Sequence, residues 1–131
     1  MKFKTQHLEG QLEDTPELLQ AWVREFCDLS EEWGIEPTIT RIADPVEGES
    51  GVHLDYRAVD FRDEFKGERF YSDEEVAYLC NHFNQKYSRR DGKPTLLHHS
   101  FQGAPLHFHL QVAKNRSMYR DQDAIDRALQ S

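Results

Sequence analysis

Residues 105–112 read PLHFHLQV, two imidazoles one residue apart inside an otherwise apolar run. On a β-strand successive side chains point to opposite faces. His107, His109 and Gln111 then share one face, and Leu106, Phe108, Leu110 and Val112 share the other. Such a strand builds a core with its apolar side. Its polar side carries two histidines, candidate nitrogen ligands, where a merely solvated strand would more often carry Thr, Lys or Glu.

The same alternation appears upstream in YRAVDFR (56–62), with Val59 and Phe61 on one face and Ala58, Asp60 and Arg62 on the other. PTITRIA (37–43) and TLLHHS (95–100) are also strand-like, and DPVEGESG (44–51) is a loop by its Pro, Gly and acidic content. Between them lie two helical patterns. Over 15–34, Leu18, Leu19, Trp22, Val23, Phe26, Leu29 and Trp33 recur at helical spacing, with Thr15 as cap, Pro16 at the first helical position and Gly34 as stop. Over 72–88, Ser72 and Glu75 form a capping box ahead of the stripe Val76, Leu79, Cys80, Phe83 and Tyr87. The tail 120–129 is expected to add a short helix packing Ile125 and Leu129. The order α-β-β-α-β-β predicts an α+β fold: a single domain over 1–131 with a mostly antiparallel sheet, helices on one face and the candidate site on the other.

Composition narrows the function. With 131 residues, 37% hydrophobic and 31% charged, the chain suits one globular domain. No apolar run approaches the about 20 residues of a membrane span, and MKFKTQHLEGQLEDTP at the start has no apolar segment of signal-peptide length. Synthesis in the cytosol is therefore expected. Sixteen Lys and Arg against 24 Asp and Glu give a formal charge of −8, which argues against a nucleic-acid binder and gives no help in docking on an anionic surface. Cys27 and Cys80 form no CxxC pair and read as reduced, helix-borne packing residues. Of seven histidines, four fall between 98 and 109.

If Val59 and Phe61 pack on the helices, Asp60 projects to the same side as His107 and His109. His53 lies seven residues before Asp60. Together His53, Asp60 and His109 would supply two imidazoles and a carboxylate, a set that suits a tetrahedral zinc with the fourth position left to water. A structural zinc site would more typically use cysteines and close all four positions. The competing reading is a group of ordinary polar strand residues.

GVHLDYRAVDF followed by PLHFHLQV resembles the zinc peptidases that cut peptidoglycan stem peptides. These are the D-alanyl-D-alanine carboxypeptidases and dipeptidases, the phage L-alanyl-D-glutamate endolysins and the murein endopeptidases, with the Hedgehog signalling domain as a fold relative. Their zinc motif is His, six residues, Asp, then a distant strand ending in a further His, often as His-x-His. The resemblance implies Zn2+ held by His53, Asp60 and His109, and extends in element order over roughly residues 15 to 112. His107 would donate a hydrogen bond to the tetrahedral oxyanion or shuttle a proton. Arg41 is the counterpart of an arginine that holds substrate carboxylate or carbonyl in several relatives.

The chain also departs from that pattern. Many members have a serine two residues before the first histidine, where this chain has Gly51 with Ser50 beside it, and often a glycine three residues after it, where this chain has Tyr56. Many carry a catalytic glutamate three residues before the last ligand, and that position is Leu106. The His-x-His branch usually adds another base, for which His98 or His99 are candidates, only one of them able to face the site; Glu47 and Glu49 are weaker ones. His82 and His7 read as surface residues.

Three functions follow as expectations. One is a zinc metallopeptidase acting on peptidoglycan peptides, fitting a phage lysis enzyme, a virion component or a small bacterial homologue. Another is a zinc-bearing, non-catalytic module of the same fold, which Leu106 favours. The third is a metal-free interaction domain with incidental histidines. The partner expected is a peptidoglycan peptide, with no nucleic acid and no membrane span.

Overall fold

In chain order the computed structural model, which describes residues 1–44, 51–53 and 55–131, runs β1 (Lys2–Phe3), α1 (His7–Glu13), α2 (Glu17–Glu32), β2 (Thr38–Arg41) and β3 (Ala58–Arg62). It continues with β4 (Glu64–Phe65), β5 (Glu68–Arg69), α3 (Asp73–Lys86), β6 (Leu96–His99), β7 (His107–Gln111), a 3-10 turn (Arg116–Met118) and α4 (Gln122–Gln130). Five strands form one sheet in the order β1-β2-β3-β7-β6. Only the β1/β2 pair is parallel. The predicted α+β architecture is therefore the observed one. No helix among the described residues is long and apolar enough to cross a membrane.

The apolar face of the sheet decides where the helices go. Ile39, Val59, Phe61, Leu96, Phe108 and Leu110 are buried in one cluster with Leu8 of α1, Trp22 and Phe26 of α2, Leu79 and Phe83 of α3, and Ile125 of α4. Phe26 stacks on Phe61 with ring centroids 4.0 Å apart, and Trp22 packs against Tyr87 at 4.7 Å. All four helices thus cover one face, and the polar positions of β2, β3 and β7 are left on the other.

Local signals behave largely as expected. The Ser72/Glu75 capping box opens α3, and Gly34, at φ +76°, follows the end of α2. Cys27 and Cys80 are unpaired, and burial pushes the Cys27 thiol up to about 12. Thr15 is a correction: Pro16 occupies the cap of α2, and the buried Thr15 hydroxyl instead donates to the Leu12 carbonyl at 2.6 Å. The reason is α1, which ends just before it and whose last carbonyls need a donor. Neither β1 nor α1 was anticipated, nor was the β4/β5 hairpin. Its two turn residues, Lys66 (φ 54°) and Gly67 (φ 80°), both sit at the positive φ that a tight two-residue hairpin turn requires.

Candidate metal centre

The β3/β7 register brings the two halves of the motif together. Asp60 pairs directly with His109, and Arg62 with His107, on the face away from the helices. His53 arrives from the turn before β3, where Tyr56 N–H donates to the His53 carbonyl at 2.9 Å and Arg57 N–H to the Val52 carbonyl at 3.0 Å. Tyr56 holds φ +60° there. That is the left-handed conformation glycine adopts most readily, at the position where the resembling peptidases often have glycine.

His53, Asp60 and His109 are all buried, and one ligand atom from each lies within 4.8 Å of the others. Hydrogen bonding on the far side of each ring fixes which nitrogen faces inward. A carbonyl oxygen can only accept, so His53 Nδ1–H donates to the Ile42 carbonyl at 2.7 Å and leaves a lone pair on Nε2. Gln111 Nε2 donates to the Pro94 carbonyl at 2.8 Å, which turns Oε1 toward His109 Nε2 at 3.0 Å. His109 therefore carries a proton on Nε2, and its Nδ1 faces inward, 2.9 Å from Asp60 Oδ1. His53 Nε2 is 3.3 Å from the same oxygen, is fully buried, and makes no hydrogen bond among the described residues.

With both rings neutral, three electron-pair donors converge on one point. Neutral imidazoles and a carboxylate so arranged repel unless a cation lies among them, and the outer-side hydrogen bonds are those that orient ligating histidines. The group could hold a metal ion. Two imidazoles and one carboxylate suit a borderline divalent cation rather than the all-oxygen shell of calcium or magnesium.

Electrostatics favour the ionised carboxylate. Burial pushes the Asp60 carboxyl up, but without a metal the hydrogen bonds from His109 and His53 outweigh it and hold it well below the usual carboxylate range. Arg41 Nε adds a further charge 3.4 Å from Asp60 Oδ2. It gets there through a register shift in β2. Ile39 pairs with Phe61, yet Arg41 rather than Thr40 pairs with Asp60. The extra residue is a β-bulge, which re-aims the next side chain.

His107 stands at the edge of the cluster. Its Nδ1–H donates to the Pro105 carbonyl at 3.0 Å, leaving Nε2 as an acceptor 3.8 Å from Asp60 Oδ2. Arg41, Asp60, Arg62, Phe65, Leu106 and His107 line part of a cleft of about 370 Å³ on this face. Of the two further histidines, His99 is on the site side, with its ring 4.8 Å from that of His107 and 5.9 Å from that of His109. His98 points the other way, packs on Phe108 and bonds to Asp63. His82 pairs with Glu25 on the helical side and the exposed His7 with Asp44. Glu47, Glu49 and Ser50 lie outside the described residues.

Alternation along the strand assigns Gln111 only a face. Its place two residues after His109, on the same side of the strand, is the signal that could have given it a role. Gln111→Ala should free His109 to change tautomer and lower metal affinity by about 10–100-fold, read by competition with a chromophoric chelator. Unchanged affinity would remove Gln111 from the site.

Comparison with protein-family models, with curated proteins and with solved structures gave no match.

Proposed function

We propose that this chain is a zinc metallopeptidase that hydrolyses peptide bonds of peptidoglycan stem or cross-link peptides, those containing D-amino acids. The observation that carries the reading is the buried convergence of His53, Asp60 and His109, one ligand atom of each within 4.8 Å of the others, beside a cleft that also holds His107. The peptidoglycan substrate and a place in phage lysis or a virion come from the residue pattern of 51–61 and 105–112 alone.

Zinc bound by those three residues would supply Lewis acidity toward a carbonyl and lower the pKa of a water in its remaining position. His107 Nε2, free to accept, takes the proton of the attacking water and returns it to the leaving amine nitrogen. It thereby fills the role that Leu106 cannot. Arg41 holds the Asp60 carboxylate and presents positive charge toward a substrate oxygen.

The second reading is a metal-holding module without turnover, favoured by Leu106 where the resembling peptidases often carry glutamate. A mass-spectrometric digest of purified peptidoglycan fragments decides between them, with zinc-loaded protein beside His109→Ala. Zinc-dependent release of one defined peptide, absent in the variant, is the expected result. No cleavage across several wall chemotypes, with one zinc bound per chain, establishes the non-catalytic module.

A further inference from the structure

Beside β1 lies a second cavity, of about 680 Å³, that contains none of the histidines of the metal cluster. Its volume falls in the range of small-molecule sites. Phe3, Ile35 and Phe70 supply the apolar part of its lining. Phe3 and Ile35 are half-buried against the core, while Phe70 keeps 41% of its surface exposed. Its backbone is fixed all the same, because the Phe70 amide donates to the Asp63 carbonyl at 2.8 Å and to Asp63 Oδ1 at 3.1 Å. A ring held in place yet uncovered is apolar surface that a ligand can take out of water.

The charges around that surface run against the composition of the chain. In a molecule of formal charge −8, the cavity is lined by four cations and one carboxylate. Two of the cations are engaged within the fold. Arg69 pairs with Asp63 and Asp73 at 3.0 and 2.7 Å, and Lys2 lies 3.9 Å from Glu36, the carboxylate of the lining. Lys4 and Arg62 have no ion-pair partner among the described residues. Both are anchored. Lys4 N–H donates to the Ile39 carbonyl at 2.8 Å, and the Arg62 guanidinium lies 4.2 Å from the centroid of the Phe65 ring. Stacking on an aromatic face leaves the in-plane N–H groups of a guanidinium free to bind an oxyanion.

We infer that this cavity binds an aromatic phosphate monoester, its ring against Phe3, Ile35 and Phe70 and its phosphate on Lys4 and Arg62. Charge decides the anion. A phosphate monoester carries about −1.5 to −2 at neutral pH and three acceptor oxygens, which matches two uncompensated cations, and guanidinium grips phosphate in bidentate fashion. The site rests on its cations and aromatic residues alone, apart from the peptidase reading. A simple aryl phosphate and a nucleoside monophosphate share this chemistry, and separate probes tell them apart.

The test is a titration of the 15N-labelled chain, followed by amide chemical shifts, with phenyl phosphate, adenosine monophosphate, methyl phosphate and phenol. Chelator is present throughout, so that no probe is held through a metal ion. At least one aromatic phosphate should bind about tenfold more tightly than methyl phosphate, moving the amides of Phe3, Ile35 and Phe70, and phenol should not bind. The tighter of the two names the source. Phe70→Ala should bring that ligand to within about twofold of methyl phosphate. Lys4→Gln/Arg62→Gln should weaken it about tenfold; should that protein not fold, Lys4→Gln alone should weaken it. Equal binding of methyl phosphate and the aromatic phosphates overturns the site. So does affinity that survives the substitutions, shifts confined to Leu106 and His107 in the metal cleft, or no shift with any probe. An inert protein that binds the aromatic phosphate keeps this site and removes the peptidase. A peptidase that ignores all four probes does the reverse.

Discussion

Zinc at a thousand times its dissociation constant is expected to stabilise the folded chain by about 4 kcal/mol, and Asp60→Asn is expected to remove that gain. A domain of this size should then melt roughly 10–20 °C higher with zinc than with chelator. The expectation follows from the inward lone pairs of His53 Nε2 and His109 Nδ1 on either side of Asp60 Oδ1. Without a metal ion or a proton among them, these three atoms are acceptors against acceptors. With the metal, all three are satisfied, and the unfolded chain has no comparable site.

Asparagine is the informative replacement because it keeps the shape of aspartate. Its Nδ2 can donate to an imidazole lone pair, but the substitution removes the charge that Arg41 faces at 3.4 Å, so the metal-free variant should fold with some loss of stability. The expected pattern is therefore a melting temperature that hardly responds to zinc, on a protein somewhat less stable than the metal-free parent. Calorimetric melts of both proteins, with zinc and with chelator, read it directly. A parent insensitive to zinc, or a variant that keeps the full shift, would remove the metal centre.

The second large effect is structural. Asp63→Ala should cost about 3–5 kcal/mol, the range for removing one partner of a buried charge network. Asp63 is fully buried. Its Oδ1 accepts from the Phe70 and Tyr71 amides at 3.1 and 2.9 Å, and its Oδ2 from Arg69 Nε at 3.1 Å and His98 Nε2 at 2.6 Å. One carboxylate thus ties the β4/β5 hairpin to β6, and the hairpin carries the Phe65 ring beneath Arg62.

Burial pushes the Asp63 carboxyl up, but bonds from His98, the Tyr71 amide and Arg69 outweigh it and hold the group below its ordinary value. A carboxyl whose folded pKa is depressed stabilises the fold in full above the unfolded value of about 3.9 and loses that contribution as pH falls through the folded value. Asp63→Ala should accordingly be most destabilising near neutral pH, and its deficit should shrink in acid. Urea denaturation at pH 7 and near pH 3 measures both; a loss under about 1 kcal/mol at pH 7 would contradict the network.

Much of this was legible in the sequence because period-2 alternation is a local property. Val59 and Phe61 against Asp60, and Phe108 and Leu110 against His107 and His109, assign faces without any knowledge of partners. The His53 and Asp60 spacing supplied the rest of the candidate cluster. What stayed hidden depends on pairing between distant segments. That Asp60 sits directly opposite His109 is a matter of register, and that His98 serves Asp63 while His99 faces the cluster depends on which way β6 docks. β1 is two residues long and the β4/β5 strands likewise, too short for any periodicity to declare itself. Thr15 reads as a cap from sequence because the start of one helix and the end of another can use the same residue type.

The bulge in β2 carries a further consequence. With regular pairing from Ile39 and Phe61 onward, Thr40 would oppose Asp60 and Arg41 would turn toward Val59 and the core. One additional backbone unit is what delivers a guanidinium to the carboxylate. Two chains could therefore agree at every residue of the cluster and still differ in whether an arginine reaches it. Scanning by substitution holds chain length constant and would pass over that difference. At this point in the strand, the number of residues is itself part of the chemistry.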